Sequence, residues 1–199
     1  MHISWLGQNC FKIEAKQASV LIDPISGAGF KMPKTSADIL LLPRPYPGAE
    51  LAFLKNDPFV IQTPGEFEIK GIFVEGQTLG LAPQIIYRLE IEGILLGHLG
   101  NLGKQDEGVT GFLEEVDVLF VPVGGGEVLG PAEAAEVVSS IEPRLVIPMR
   151  YKQTGAANLQ PVEKFCQAMA VKSPERQKRV TVTKKDLPNE ETRLVILEI

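Results

Sequence analysis

The loop after one apolar strand carries two side chains that could bind or react with a ligand. The segment LLLPRPYPGAE at residues 40–50 runs from an apolar strand into a loop that presents Arg44 and Tyr46. A loop at the end of a buried strand is held by a rigid scaffold yet faces solvent, so binding and catalytic groups collect there. This loop offers a cation and a phenol, with no carboxylate or imidazole before Glu50. Its three prolines are equally compatible with a stiff surface connection that carries no chemistry.

Loops with glycine or arginine follow three other apolar strands. The segment GHLGNLG at residues 97–103 contains His98 and Asn101, and its three glycines let a backbone approach a ligand closely. Three glycines also follow Val123, and Arg150 follows the strand that ends in Pro-Met. The sequence contains no phosphate-binding G-x-x-x-x-G-K-[ST] or G-x-G-x-x-G motif and no G-x-S-x-G motif. It therefore gives no indication of those nucleotide-binding or serine-hydrolase sites.

The composition favours a soluble protein with one domain. Of the 199 residues, 44% are hydrophobic, and the formal net charge is -5 with a pI near 5.2. The length suits a single domain over residues 1–199, and the acidic balance does not support nucleic acid or a membrane as a partner. No apolar run approaches the roughly 18 residues of a membrane helix, and the start does not resemble a signal peptide. We therefore expect a cytoplasmic protein.

Two local features have structural rather than chemical explanations. Cys10 and Cys166 each lie within an apolar pattern, so we expect buried, reduced thiols rather than a disulfide or a metal cluster. The stretch at residues 172–185 is locally basic, but acidic residues interrupt its surroundings and no aromatic residues are interleaved. We interpret it as a solvated linker and edge strand rather than a nucleic-acid contact.

The apolar periodicity predicts a strand-rich chain that later alternates strands with helices. The first three runs predict an antiparallel meander. Helices are predicted at residues 131–141 and 161–169, because each begins with Pro and has apolar residues on one face, and a short helix at residues 50–55. Two β-rich halves with outer helices predict an α/β (α+β) fold, a four-layer sandwich in the order helix, sheet, sheet, helix. The predicted strands are residues 3–6, 10–13, 20–22, 37–42, 59–61, 66–74 with a turn at Gly71, 85–91, 94–96, 116–123, 144–149, 180–183 and 193–199.

Eight segments of the chain carry a resemblance to a known family. They are MHISWLGQNCFKIEA, LIDP, KMPKTSADILLL, PFVIQTPGEFEIKGIFVEG, IIYRLEIEGILLGHLGNLG, VDVLFVPVGG, PAEAAEVVSSIEPRLVIPMRYK and LVILEI. In their order and spacing, these segments resemble the metallo-β-lactamase superfamily, and above all its small branch of Zn-dependent hydrolases. The resemblance covers almost the whole chain, and it implies the αβ/βα sandwich fold, in agreement with the layers predicted from periodicity.

The same resemblance implies a metal-dependent hydrolase, but this chain departs from the family where the metal ligands stand. The family has a His-x-His-x-Asp-His motif after the fourth strand, a bridging aspartate in a later loop and a histidine at a late strand end. The family's opening Gly-His-Ser-Cys-Phe turn is Gly-Gln-Asn-Cys-Phe at residues 7–11, and no histidine occurs at residues 78–83. The positions aligned with the motif, the aspartate and the late histidine are Arg44, Tyr46, Gly48, Ala49, Asn101 and Arg150.

These departures lead us to predict that the family's metal site is absent. Hydrolytic zinc needs about three imidazole or carboxylate ligands and an open water position. The chain has only two histidines, His2 and His98, and an arginine does not deprotonate to become a ligand. We therefore predict no metal and no cofactor. The main functional prediction is a non-catalytic protein of this fold that binds a small anion or a protein partner.

Three interpretations of the altered cleft stay open. If the family fold is kept, Arg44, Tyr46, Asn101 and Arg150 converge and could bind a phosphate, sulfate or carboxylate through charge-assisted hydrogen bonds. The two arginines could instead be neutralised internally, with Asp23 or Glu66 as partners. The third interpretation is a hydrolase that acts on an anionic or ester substrate without a metal, with His98 as general base and Tyr46 as general acid.

Overall fold

Two β-sheets and three α-helices make up the part of the chain that the computed structural model describes, which is residues 1–24, 32–44, 51–78, 84–104, 107–153 and 158–199. The strands are β1 (His2–Gly7), β2 (Cys10–Glu14), β3 (Ser19–Ile22), β4 (Ile39–Leu41), β5 (Phe59–Ile61), β6 (Gly65–Ile69), β7 (Ile72–Thr78), β8 (Ile85–Ile91), β9 (Ile94–His98), β10 (Val118–Pro122), β11 (Leu145–Met149), β12 (Glu175–Gln177), β13 (Arg179–Thr181) and β14 (Arg193–Leu197). The helices are α1 (Glu107–Phe112), α2 (Pro131–Ile141) and α3 (Val162–Ala168).

The first sheet has the order β13-β1-β2-β3-β4-β5. Strands β1, β2 and β3 pair antiparallel, which confirms the predicted meander. Strands β3, β4 and β5 pair in parallel, and Ile22 lies opposite Leu41. Because parallel strands end at the same edge of a sheet, Asp23 and Arg44 leave the sheet side by side.

The second sheet has the order β12-β14-β11-β10-β9-β8-β7-β6. Its strands β6 to β9 pair antiparallel, whereas β9, β10, β11 and β14 run parallel to one another. The carboxyl ends of β9 and β11 therefore lie at one edge, where His98 and Met149 are the last strand residues. The loops that contain Asn101 and Arg150 follow these ends.

The main core lies between the two sheets and under the helices. It includes fully buried residues from both sheets, such as Phe11, Tyr87 and Phe120, and the buried face of α2. A smaller apolar cluster lies on the other face of the first sheet and contains Cys10, Leu40 and Phe53. Both cysteines are free and buried, as predicted. None of the described helices is long and apolar enough to cross a membrane.

The predicted fold class is confirmed, and the structure differs from the local predictions in four places. Helix α2 has the predicted bounds, and α3 is one residue shorter than predicted at each end. The predicted short helix at residues 50–55 begins outside the described residues, and residues 51–55 contain no α-helix but include a bridge from Leu54 to Thr35. Helix α1 was not predicted, because two of its six residues are Gly, which lowers helix propensity. Strand β12 lies where the sequence predicts a solvated linker, because its three residues are polar and it forms only by pairing with β14.

Candidate functional site

The candidate site is a cleft where the ends of several strands meet. The turn between β1 and β2 contributes Gln8 and Asn9, and the end of β3 contributes Asp23. Arg44 follows β4, and Asn101 and Arg150 follow β9 and β11 in the opposite sheet. The sandwich thus brings polar residues from both sheets to one edge, although they are far apart in the sequence.

Asn9 is the centre of the hydrogen-bond network in this cleft. Its side chain is 2% exposed, and its Nδ2 donates to Asp23 Oδ2 at 3.1 Å and to Asn101 Oδ1 at 2.7 Å. The backbone N–H of Asn101 in turn donates to Gln84 Oε1 at 2.8 Å. Because these residues come from different strands, Asn9 fixes the two sheets relative to each other at the cleft. Its position aligns with the serine of the family turn.

His98 holds this network in place from the protein interior. The ring is fully buried, its Nε2 donates to the carbonyl oxygen of Asn9 at 2.9 Å, and its Nδ1 accepts from the backbone N–H of Gly100 at 3.2 Å. Burial lowers the pKa of His98, although the charge of Asp23 opposes that shift, so the ring is neutral. Both ring nitrogens are engaged by the backbone, so His98 positions Asn9 in this structure. Its predicted role as general base would require one of these bonds to break.

Arg44 lies beside a buried carboxylate, as one interpretation of the sequence predicted. Its Nη2 is 3.6 Å from Asp23 Oδ1, and its side chain is 43% exposed. This separation is longer than a hydrogen bond, so the guanidinium keeps its donors for a ligand. The backbone before it is fixed from the opposite sheet, where Ile85 N–H donates to the Pro43 carbonyl oxygen at 2.7 Å.

Arg150 has no carboxylate partner among the residues that the structure describes. Its Nη1 donates to Gln8 Oε1 at 3.1 Å, and its backbone N–H donates to the Gln8 carbonyl oxygen at 3.1 Å. Burial and the nearby charge of Arg44 lower the pKa of Arg150, while Asp23 and Glu127 act in the opposite direction. Its Nε is buried without a hydrogen-bond partner in the described part of the chain. The cleft therefore contains two neighbouring guanidinium groups.

Three residues of the cleft have an unfavourable backbone conformation, as do five residues elsewhere in the described structure. Gln8, Asp23 and Arg150 adopt positive φ values of 50°, 43° and 53°, a region that residues other than glycine seldom occupy. Asn9 Oδ1 and Asp23 Oδ1 are also buried without a hydrogen-bond partner within the described residues. Strained backbone conformations and unpaired buried polar atoms cost free energy, so they persist only where the surrounding structure enforces them, and they are frequent at functional sites.

One glycine allows the strand ends to approach each other this closely. A Cβ on Gly124 would lie 2.2 Å from the carbonyl oxygen of Arg150, well inside van der Waals contact. Gly124 also accepts a backbone hydrogen bond from Gln160 at 2.7 Å. Gly124 is therefore needed for Arg150 to take its place in the cleft, because any larger residue would collide with the Arg150 backbone.

The described side chains do not fit the zinc site of the family. Zinc takes about three ligands from His, Cys, Asp and Glu. No three such side chains gather in a metal-holding group within the residues that the structure describes. The cleft offers Asp23 and His98, but both ring nitrogens of His98 are occupied. Arg44 and Arg150 add fixed positive charge that repels a divalent cation. The chemistry proposed below therefore includes no metal step.

The structure brings together three of the four predicted ligand-binding residues. Arg44, Asn101 and Arg150 surround the cleft, while Tyr46 lies outside the described residues. The sequence prediction missed Gln8 and Gln84, which hold Arg150 and Asn101 respectively. Only the position of Gln8 in a turn that departs from the family pattern could have indicated it. Glu66, the other proposed arginine partner, is exposed on β6 and lines a different groove.

Comparisons with known proteins agree on one superfamily. A family model described as a beta-lactamase superfamily domain matches residues 2–150. A Lysinibacillus sphaericus protein named a metal-dependent hydrolase is 25% identical over 193 residues, which cover 76% of this chain and 85% of that protein. A Methanopyrus kandleri protein with the same kind of name is 29% identical over 194 residues, covering 76% and 84%. A Thermotoga maritima structure, described as a candidate Zn-dependent hydrolase of the metallo-β-lactamase superfamily, has a TM-score of 0.85 at 31% identity, covering 100% of both chains.

These comparisons overturn two predictions from the sequence. The prediction of a non-catalytic protein is wrong, because the relatives are named as hydrolases and so favour the alternative hydrolase interpretation. The prediction of no cofactor is also wrong, because the same names point to a metal cofactor. Both predictions were wrong for one physical reason. A changed motif shows only that the side chains at those positions cannot be metal ligands. It does not show that the chemistry has been lost.

Proposed function

Because the chain belongs to the metallo-β-lactamase superfamily, we propose that it is a hydrolase whose substrate carries an anionic group held by Arg44 and Arg150. The observation that carries this proposal is Arg150, a half-buried guanidinium whose side chain is bonded to an amide rather than to a carboxylate. The relatives named as hydrolases support the reaction class. The pair of neighbouring arginines supports the substrate class.

The charge balance of the cleft favours an anion. Arg44 and Arg150 bring two positive charges, and Asp23 is the single carboxylate in contact with either of them in the described structure. A half-buried guanidinium without a direct ion pair is costly, so an anionic ligand that replaces water beside Arg150 relieves that cost. The forked donors of arginine match the paired oxygens of phosphate, sulfate and carboxylate.

The fixed positions of these groups suit stabilisation of a developing charge. Gln8 holds both the backbone and the side chain of Arg150, and the His98–Asn9 network holds the opposite wall. Donors that are already oriented do not have to reorganise when negative charge builds up on the substrate during hydrolysis. In this proposal Arg150 orients the anionic group, and Arg44 stabilises the charge that forms next to it.

Replacing Arg150 by Gln tests the proposal. We expect hydrolysis of phosphoesters, or of lactones and esters that carry a carboxylate or phosphate, to fall by about 10- to 100-fold in kcat/KM, because the charged fork is lost. Arg150→Lys should recover only part of the activity, since it restores charge without the fork. The assays are run with added zinc, with added manganese and with chelator, because the relatives are named metal-dependent.

Arg193→Gln is the matched control, because Arg193 is a partly exposed arginine that pairs with Glu175 on β12, outside the cleft. It should leave kcat/KM unchanged. Thermal unfolding of each variant separates loss of function from loss of folding. Equal activity of the wild type and Arg150→Gln on every anionic substrate that is turned over would contradict the proposed role of the arginine.

A further inference from the structure

A groove of about 520 Å³ lies on the outer face of the second sheet, apart from the cleft. Strands β6 to β9 form its floor, and none of the cleft residues lines it. We propose that this groove binds a basic peptide segment of a partner protein. The inference does not depend on the hydrolase proposal, because the two surfaces share no residue.

The floor of the groove combines an exposed aromatic side chain with neighbouring apolar surface. Phe73 on β7 is 52% exposed, although most large hydrophobic side chains in the described structure are buried. The strand register places Phe73 next to Glu90 on β8, and Glu90 next to Leu95 on β9. One row of side chains therefore alternates apolar and acidic groups. Such a row suits a segment that presents aliphatic stems and positive charges together.

The walls of the groove are predominantly acidic. Four glutamates line it together with Asp117, which is paired with Arg144, and the basic residues of the lining are Arg88 and Lys184. Arg88 is 3.8 Å from Glu75, and Lys184 donates to a backbone carbonyl oxygen, that of Gly93. Within the described residues, Glu66, Glu90 and Glu115 have no ion-pair partner. Together with Glu75, these residues are the four glutamates that line the groove.

Charge also argues against a second copy of this chain as the occupant. The chain has a net charge of -5, so two acidic faces would repel each other. Two arginines of the chain's own basic stretch at residues 172–185 already have internal partners. Arg176 pairs with Glu163 and Glu198, and Arg179 pairs with Glu14. Lysines and arginines from a different protein are therefore the complementary partner.

Peptide binding measured by fluorescence anisotropy tests the inference. The probe is a labelled nonapeptide in which lysine and leucine alternate, and the same peptide with glutamate in place of lysine serves as the reference. We expect the lysine peptide to bind the wild-type protein and the glutamate peptide not to bind. Phe73→Ala should weaken binding by about tenfold through loss of aromatic contact area, and Glu90→Lys by about fivefold or more through charge reversal.

Two matched variants distinguish the groove from general electrostatic attraction. Phe59→Ala removes an aromatic ring that is equally exposed, at 51%, but lies on β5 of the other sheet. Glu136→Lys makes the same charge reversal on the exposed face of α2. Both should leave the affinity unchanged. The inference is overturned if the wild type does not bind the lysine peptide, or if these controls weaken binding as much as the groove variants. It is also overturned if sedimentation shows a dimer of this chain that Glu90→Lys dissociates.

Discussion

At the scale of single residues, the cleft depends on side chains that hold other side chains. Gln8 fixes Arg150, Asn9 links Asp23 to Asn101, and His98 fixes Asn9. The sequence identified the arginines and Asn101, because they stand where a resembling family places its ligands. It did not identify their supports, because an amide in a turn looks the same whether it points to solvent or to a buried arginine.

Tyr87 is a further residue of this supporting kind. Its ring is fully buried in β8, and its hydroxyl lies 3.0 Å from the carbonyl oxygens of both Leu42 and Ile61 in the first sheet. Burial raises the pKa of Tyr87, so the hydroxyl keeps its proton and donates. The contact fixes the backbone two residues before Arg44.

Removing this hydroxyl should loosen the cleft without emptying the core. We expect Tyr87→Phe to lower the free energy of unfolding by about 1–2 kcal/mol, because the single hydroxyl proton shared by the two carbonyl oxygens is lost, while the Ile61 carbonyl oxygen keeps its hydrogen bond from the Leu42 N–H. Sulfate or phosphate affinity, measured by calorimetry, should fall as well, because Arg44 is less firmly placed. Ile91→Val, a change in the same strand that should cost about 1 kcal/mol, is the stability-matched control. An unchanged anion affinity in Tyr87→Phe would rule out the positioning role.

At the scale of elements, a single arginine fastens the segment before β14 to the second sheet. Arg144 stands just before β11, and its Nε and Nη2 donate to the carbonyl oxygens of Pro188 and Leu187 at 2.6 and 2.8 Å. It also donates to Asn189 Oδ1 at 2.7 Å and lies 3.2 Å from Asp117 Oδ1. One guanidinium thus satisfies acceptors on both sides of β11, in the segments that precede its neighbours β14 and β10.

Arg144→Ala should therefore destabilise the protein by about 2–3 kcal/mol, since several acceptors lose a charged donor at once. Arg144→Lys should recover less than half of this loss, because an ammonium cannot reach acceptors in several directions. The measurement is the urea midpoint at constant m-value. Full recovery with lysine would show that charge alone, rather than the forked geometry, holds the segment.

Local sequence signals predict some helices and strands but not others. Helix α2 was predicted with its correct bounds, because Pro131 starts it and apolar residues recur on one face. Its start is also capped, with the Gly130 N–H donating to Glu133 Oε2 at 2.7 Å. Helix α1 and strand β12 could not be predicted, because each has weak propensity and forms through contacts with distant segments.

At the scale of the whole molecule, an ion pair ties the two sheets together away from the cleft. Lys70, at the tip of the β6–β7 hairpin, donates to Asp38 just before β4. Asp38 also accepts hydrogen bonds from Ser19, from the backbone N–H and from the hydroxyl, both at 2.8 Å. The hydrogen bond from Lys70 has the largest effect, followed by those from Ser19, and together they lower the pKa of Asp38 from its ordinary 3.8 to about 2.

This shift predicts a pH dependence of stability. Since the folded-state pKa lies below the unfolded value, the carboxylate stabilises the protein fully above about pH 4, and this contribution is lost as the pH falls through about 2. Asp38 is partly exposed, so we expect Asp38→Asn to cost only about 0.5–1 kcal/mol at pH 7. Thermal unfolding of the two proteins should converge near pH 2.

A double-mutant cycle with Lys70→Gln is the control for this prediction. The two single changes should together cost more than the double variant, because they remove the same contact. Additive effects would mean that Ser19 alone, and not the tie between the sheets, accounts for the role of Asp38.

The fold class, most strands, two helices and three residues that line the cleft could be predicted from local patterns and from the family resemblance. Periodicity and turn chemistry are local properties, so they can be recognised without knowing which elements pack together. The partner of each cleft residue depends instead on how distant strands are placed. Arg150 is held by a residue 142 positions away, and the pairing of Arg44 with Asp23 depends on the parallel alignment of β3 and β4. Contacts between distant strands depend on register and layer packing, which no local pattern specifies.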